Sequence, residues 1–194
     1  MEKKDNLSKQ ESLSIITSMI NQAKSNIDQS SFHLLLWGWI IFIASLMHFT
    51  LIKFTSFENA HYTWLLVIPG AITSFIYGWR TGKRVKVSTY ADRIYMWIWI
   101  AFFIVFTIMF TLYSDLGGNI NPLILLIAGY ATFLSGQVLK FKPLIFGGIL
   151  FWIFAVLAYL VHNEYSLLVT ALSVLTGYLI PGYLLKAKVK DVTF

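Results

Sequence analysis

The side chains best equipped for chemistry lie at the ends of long apolar runs and in the polar stretches that join them. His48, His61 and His162 occur there together with Glu58, Asp115 and Glu164. Imidazoles with carboxylates form zinc sites and acid–base pairs. No His-Glu-x-x-His spacing occurs among them, and they are spread over several connectors. The expectation is interfacial histidines and solvated acids, with a converged metal or catalytic site as the alternative. His33, at the start of the first apolar run, reads as interfacial. Gly117-Gly118 has no following lysine and so is no phosphate loop. No nucleophile–base signature appears, and no basic folded module that would bind nucleic acid. The chain has no cysteine, which excludes disulfides and thiolate chemistry. No cofactor or metal is expected.

A second polar set lies within the apolar runs: Thr73, Ser74, Thr107, Thr132, Ser135, Gln137, Thr170, Ser173 and Thr176. No acid, lysine or arginine accompanies it there. Ion-coupled transporters place ionisable groups at mid-membrane depth, so this absence weighs against that class. Serine and threonine can bond back to their own helix, and that role is expected of them.

The elements that must position these residues follow from composition. Apolar residues make up 57% of the 194-residue chain and charged ones 12%. About 25% charged is usual for a soluble domain, so a bilayer is the natural solvent. Apolar runs cover 34–52, 63–79, 94–113, 122–139, 144–162 and 166–185. A hydrocarbon core of about 30 Å needs roughly 20 helical residues, and all six runs come close. They lack the alternation of a membrane barrel. The expected fold is all-α and polytopic: a cytosolic amphipathic helix over 1–31, six transmembrane helices over 32–186, and a short basic tail over 187–194. Because about thirty polar residues precede the first run, that run is expected to act as an uncleaved signal-anchor.

Charge sets the orientation. The connector Trp79–Arg93 holds Arg80, Lys83, Arg84, Lys86 and Arg93 against one acid, Asp92. With the amino terminus inside, 14 of the 15 lysines and arginines fall on the cytosolic side, and only Lys53 lies outside. Both termini are therefore expected in the cytosol. The connector cations are expected to meet anionic lipid headgroups, or acids of the amino-terminal segment as the alternative.

Small residues at four-residue spacing mark the even spans: Gly70, Ser74 and Gly78; Ala128, Thr132 and Gly136; Ser173 and Gly177. That spacing aligns them on one helix face, where backbones can approach. Odd spans are bulkier, so spans two, four and six are expected at the centre and one, three and five towards lipid. Pro69 and Pro181 fall inside spans two and six, where each removes a backbone donor and can kink its helix. Pro122 and Pro143 open their spans. Trp37-Gly-Trp39 and Trp97-Ile-Trp99, with similar exits at Gly136–Lys142 and Gly182–Lys188, suggest three hairpin repeats. Membrane patterning alone accounts for the same features.

In the amino-terminal helix, Ser8 and Glu11 have capping-box spacing. Leu13, Ile16, Ile20, Ala23 and Ile27 then form one apolar stripe. It suits a membrane surface, the inner ends of the spans, or a partner helix.

The segment Glu11–Lys24 followed by Ser31-Phe-His-Leu-Leu-Leu-Trp-Gly-Trp39 resembles a group of small six-span bacterial inner-membrane proteins with no assigned activity. The resemblance implies the same layout and supplies no site residues. The functional expectation is a non-enzymatic membrane accessory or sensor that engages lipid, a cytosolic protein or a second copy of itself through its cytosolic face. The alternative is a small-molecule or lipid transporter or channel with a cavity between the even-numbered helices.

Overall fold

The computed structural model describes residues 9–55, 57–82, 90–112, 119–161 and 163–191. Ser8, Lys83, Arg84, Lys86, Asp115, Gly117, Gly118 and His162 lie outside them, as do the side chains of Glu11, Ile16, Ile20, Ala23 and Ile27. Every regular element among the described residues is helical. In chain order these are α1 (Lys9–Phe54), a 3₁₀ helix (Ala60–Leu66), α2 (Val67–Gly82), α3 (Tyr90–Thr111), α4 (Asn121–Val138), α5 (Lys142–Leu160), α6 (Asn163–Val174), a π turn (Leu175–Leu179) and α7 (Ile180–Asp191).

Among the described residues, five stretches are long and apolar enough to cross a membrane: Asp28–Phe54, Tyr90–Thr111, Asn121–Val138, Lys142–Leu160 and Glu164–Lys188. The segment expected as span two takes a different form, a 3₁₀ helix leading into α2 of 16 residues. Pro69 supplies a physical reason. It lies in the first turn of α2, and with no N–H it cannot carry the α-helical ladder back to Leu65. Pro181 does the same in the last segment, as the second residue of α7 with the π turn just before it. Both prolines thus open a regular helix behind an irregular turn. Pro122 and Pro143 stand in the first turns of α4 and α5.

α1 is the spine of the molecule. It runs without a break for 46 residues, about 69 Å at 1.5 Å per residue. The amino-terminal helix and the first span are therefore one continuous rod, with no interruption near residue 31. Its membrane-length part touches the 3₁₀ helix and α2 on one side, and α6, the π turn and α7 on the other. Gly38 admits the second contact: a Cβ there would sit 2.7 Å from Leu179 Cδ2.

The core lies between α1, α4, α5 and α6–α7, built around Leu34, Leu125, Leu144, Phe151, Val174, Tyr178 and Leu185. α4 and α5 pack most intimately. Gly148 allows this, since a Cβ on it would fall 2.6 Å from the Phe133 backbone nitrogen, and a Cβ on Gly136 would fall 2.7 Å from the Ile145 nitrogen. On α5's other side, a Cβ on Gly147 would fall 2.8 Å from the Gly177 carbonyl oxygen. That carbonyl is the one to which Pro181 cannot donate. α3 leans on α4 and buries no residue.

The expected split into central even spans and lipid-facing odd ones therefore needs two corrections. α2 is peripheral and packs on α1. α5 is central, because its adjacent glycines let two neighbours approach at backbone distance. The α4–α5 turn is closed by Phe141 N–H donating to the Gly136 carbonyl at 2.9 Å and Lys140 N–H to Gln137 at 3.2 Å. This is a Schellman-type cap, with Lys140 at φ 49° where glycine is usual.

Candidate functional site

A groove of about 590 Å³ lies between α1 and α2, with Lys186 of α7 at its edge. Helical periodicity builds both of its walls. Phe32, Leu36, Trp39 and Ile43 recur at three- and four-residue steps along α1; Leu66, Pro69, Gly70, Thr73 and Tyr77 do so across the start of α2. Gly70 sets the closest approach, as a Cβ there would overlap Ile40 Cδ1. The walls are almost wholly apolar. Thr73 donates to the Pro69 carbonyl at 2.8 Å, and Ser31 to the Asp28 carbonyl at 2.8 Å, so their hydroxyls are satisfied within their own helices. Charge enters at one end only, through Asp28 of α1 and Lys186 of α7.

α2 is held to α1 by a polar and aromatic clasp beside this groove. Ser74 Oγ and His33 Nδ1 are hydrogen-bonded at 3.0 Å, and the Tyr77 ring stacks on Phe32 with centroids 3.8 Å apart. Forty-one residues separate Ser74 from His33, so the sequence offers no spacing that would pair them. A serine hydroxyl on an imidazole is also the first half of a nucleophile–base arrangement. The bond joins α2 directly to α1.

The residues expected to mediate close packing separate into three groups. Ala128, Thr132, Gly136, Ser173 and Gly177 are buried where α4, α5 and α6–α7 meet. A Cβ on Gly177 would overlap the Phe151 ring. Gly70 and Ser74 face α1. Gly78 has nothing within 4 Å of a would-be Cβ, a correction to the packing role expected of it, because the helix carrying it is peripheral. Gly147 and Gly148 were not singled out from sequence; their signal was the only adjacent glycine pair inside an apolar run.

Of the hydroxyls within the apolar helices, Thr107, Thr132, Thr170, Ser173 and Thr176 donate to carbonyls one turn back. Ser45 and Ser135 are buried with no hydrogen-bond partner. Of the connector cations, Arg80 ends α2 and Arg93 lies in the first turn of α3; both are exposed.

At the opposite end, the polar residues form separate local ties. Trp64 Nε1–H donates to His48 Nδ1 at 3.0 Å, which requires that ring nitrogen to be unprotonated. His61 packs on the Tyr62 ring. Lys53 pairs with Glu164 at 3.2 Å and lies 5.3 Å from the centre of the Tyr165 ring. Asn121 Nδ2–H donates to Ser166 Oγ at 2.7 Å, and Asn119 Nδ2–H to the Ala158 carbonyl at 3.2 Å. These bonds staple α4, α5 and α6 together. No group of three His, Cys, Asp or Glu that could hold a metal occurs among the described residues.

No family model, curated protein or solved structure matches the chain.

Proposed function

We propose that the chain is a six-span protein of a bacterial inner membrane with both termini in the cytosol. Its role is that of a non-enzymatic accessory or sensor, engaging lipid or a protein partner through the cytosolic face. The continuous helix α1 carries this reading. Its membrane-length part, Asp28–Phe54, takes up about 40 Å of rod. Residues 9–27 extend it by roughly 28 Å as the same unbroken helix. A rod shared between membrane and cytosol transmits a tilt or rotation at one end to the other without a hinge. That is the mechanical requirement of a sensor.

The sixth span in this reading is 60–82. Seven 3₁₀ residues at about 2.0 Å and sixteen α residues at 1.5 Å give roughly 38 Å, enough for the core of a bilayer. The positive-inside asymmetry supports the orientation, and the cation-rich 79–93 connector then meets anionic headgroups.

Two spin labels test the rod. Cysteines at 13 and 39 in this cysteine-free chain span 26 residues, about 39 Å along a straight helix. A narrow distribution near that distance in nanodiscs is expected. A short or broad one means that the amino-terminal segment folds back onto the membrane, and the transmission reading fails. Single cysteines at 58 and 142 report orientation: the first should react with an impermeant maleimide from outside, the second only after lysis.

A further inference from the structure

We infer that the groove between α1 and α2 holds one acyl chain of a phosphatidylethanolamine, its zwitterionic headgroup seated between Lys186 and Asp28. Three observations converge on this ligand. The first is size. From Leu66 to Tyr77 the α2 side of the groove runs eleven residues, about 17 Å if treated as helical rise. One leaflet of a hydrocarbon core is about 15 Å deep. A groove of that length and depth seats a single extended acyl chain along its axis.

The second observation is polarity. Ile43, Leu66 and Gly70 leave one end wholly apolar, while Asp28, Tyr77 and Lys186 gather at the other. An amphipathic ligand lying along the bilayer normal has the same asymmetry. The third is charge. Asp28 and Lys186 both line the groove. A cation and an anion at the same end suit a headgroup carrying both signs. The phosphate goes to the Lys186 ammonium and the lipid ammonium to the Asp28 carboxylate. A purely anionic headgroup would satisfy Lys186 but would be repelled by Asp28.

This inference deepens the lipid-engaging reading above and needs from it only placement in a bilayer, so it stands or falls independently of any sensor role. The test is native mass spectrometry of the delipidated full-length protein, titrated with dioleoyl phosphatidylethanolamine or phosphatidylglycerol. Phosphatidylethanolamine should bind about fivefold more tightly, the size of one partly exposed charge pair. Asp28→Asn should remove that preference, Lys186→Gln should weaken both lipids, and Thr73→Trp, which fills the exposed side of the groove, should abolish both. Thermal melts of each variant confirm that it is folded. Equal or tighter binding of phosphatidylglycerol would overturn the headgroup assignment. Unchanged occupancy in Thr73→Trp would overturn the site, leaving only unspecific boundary lipid.

Discussion

Gly148→Ala probes the closest packing in the molecule. The added Cβ would lie 2.6 Å from the Phe133 nitrogen and 2.7 Å from its Cα. Ordinary contact begins near 3.4 Å, and neither atom can swing aside, because both belong to the α4 backbone. The helices must therefore separate locally by about 0.8 Å. A gap of 0.5–1 Å forfeits a quarter to a half of each dispersion contact. Overpacking of this kind typically costs about 1–3 kcal/mol. In a bilayer, dispersion is a main source of helix association, so a loss of about 2 kcal/mol is expected. Alanine's better helix propensity returns at most about 1 kcal/mol of it. Gly78→Ala serves as the internal control, for its new methyl meets nothing within 4 Å. It should be neutral or slightly stabilising. Reversible unfolding in mixed micelles measures both. Equal midpoints for Gly148→Ala and Gly78→Ala would refute the claim that backbone approach at α4–α5 stabilises the bundle.

Four further substitutions extend the argument. Lys140 adopts φ 49° at the α4 cap, so Lys140→Gly should raise the unfolding free energy by about 1 kcal/mol. Ser74→Ala removes the hydroxyl bonded to His33; a loss of about 0.5–1 kcal/mol is expected, along with faster proteolysis within α2 and an unchanged α4–α5 unit. Asn121→Ala deprives the buried Ser166 hydroxyl of its 2.7 Å donor and should cost about 1 kcal/mol in the same assay. Ser45→Ala deletes a buried hydroxyl without a partner. It should stabilise by up to about 1 kcal/mol, the reverse of Ser74→Ala.

Parts of the site were legible before any coordinates. The small-residue spacing in α4 and α6–α7 identified Ala128, Thr132, Gly136, Ser173 and Gly177, all of which are buried. Such spacing is a local property of one helix, so it can be read along the chain. The groove was not legible. Its walls come from α1 and α2 and its charges from α1 and α7, and which helices become neighbours is a long-range fact. The same limit hid the His33–Ser74 tie, and it misplaced α2, whose glycine pattern resembles that of a central helix.

The sequence by itself determined the solvent and the segments. Apolar runs of bilayer length without period-two alternation point to helices that suit a bilayer, since a helix satisfies its own backbone there. Tertiary structure decided which helices touch. Apolar side chains gain as much from lipid as from each other, so hydrophobicity cannot rank one neighbour over another. Close fit does so instead. Gly148 against Phe133, Gly147 against the carbonyl left by Pro181, and Gly38 against Leu179 made α1 the spine, put α5 at the centre, and left α2 at the edge with a groove beside it.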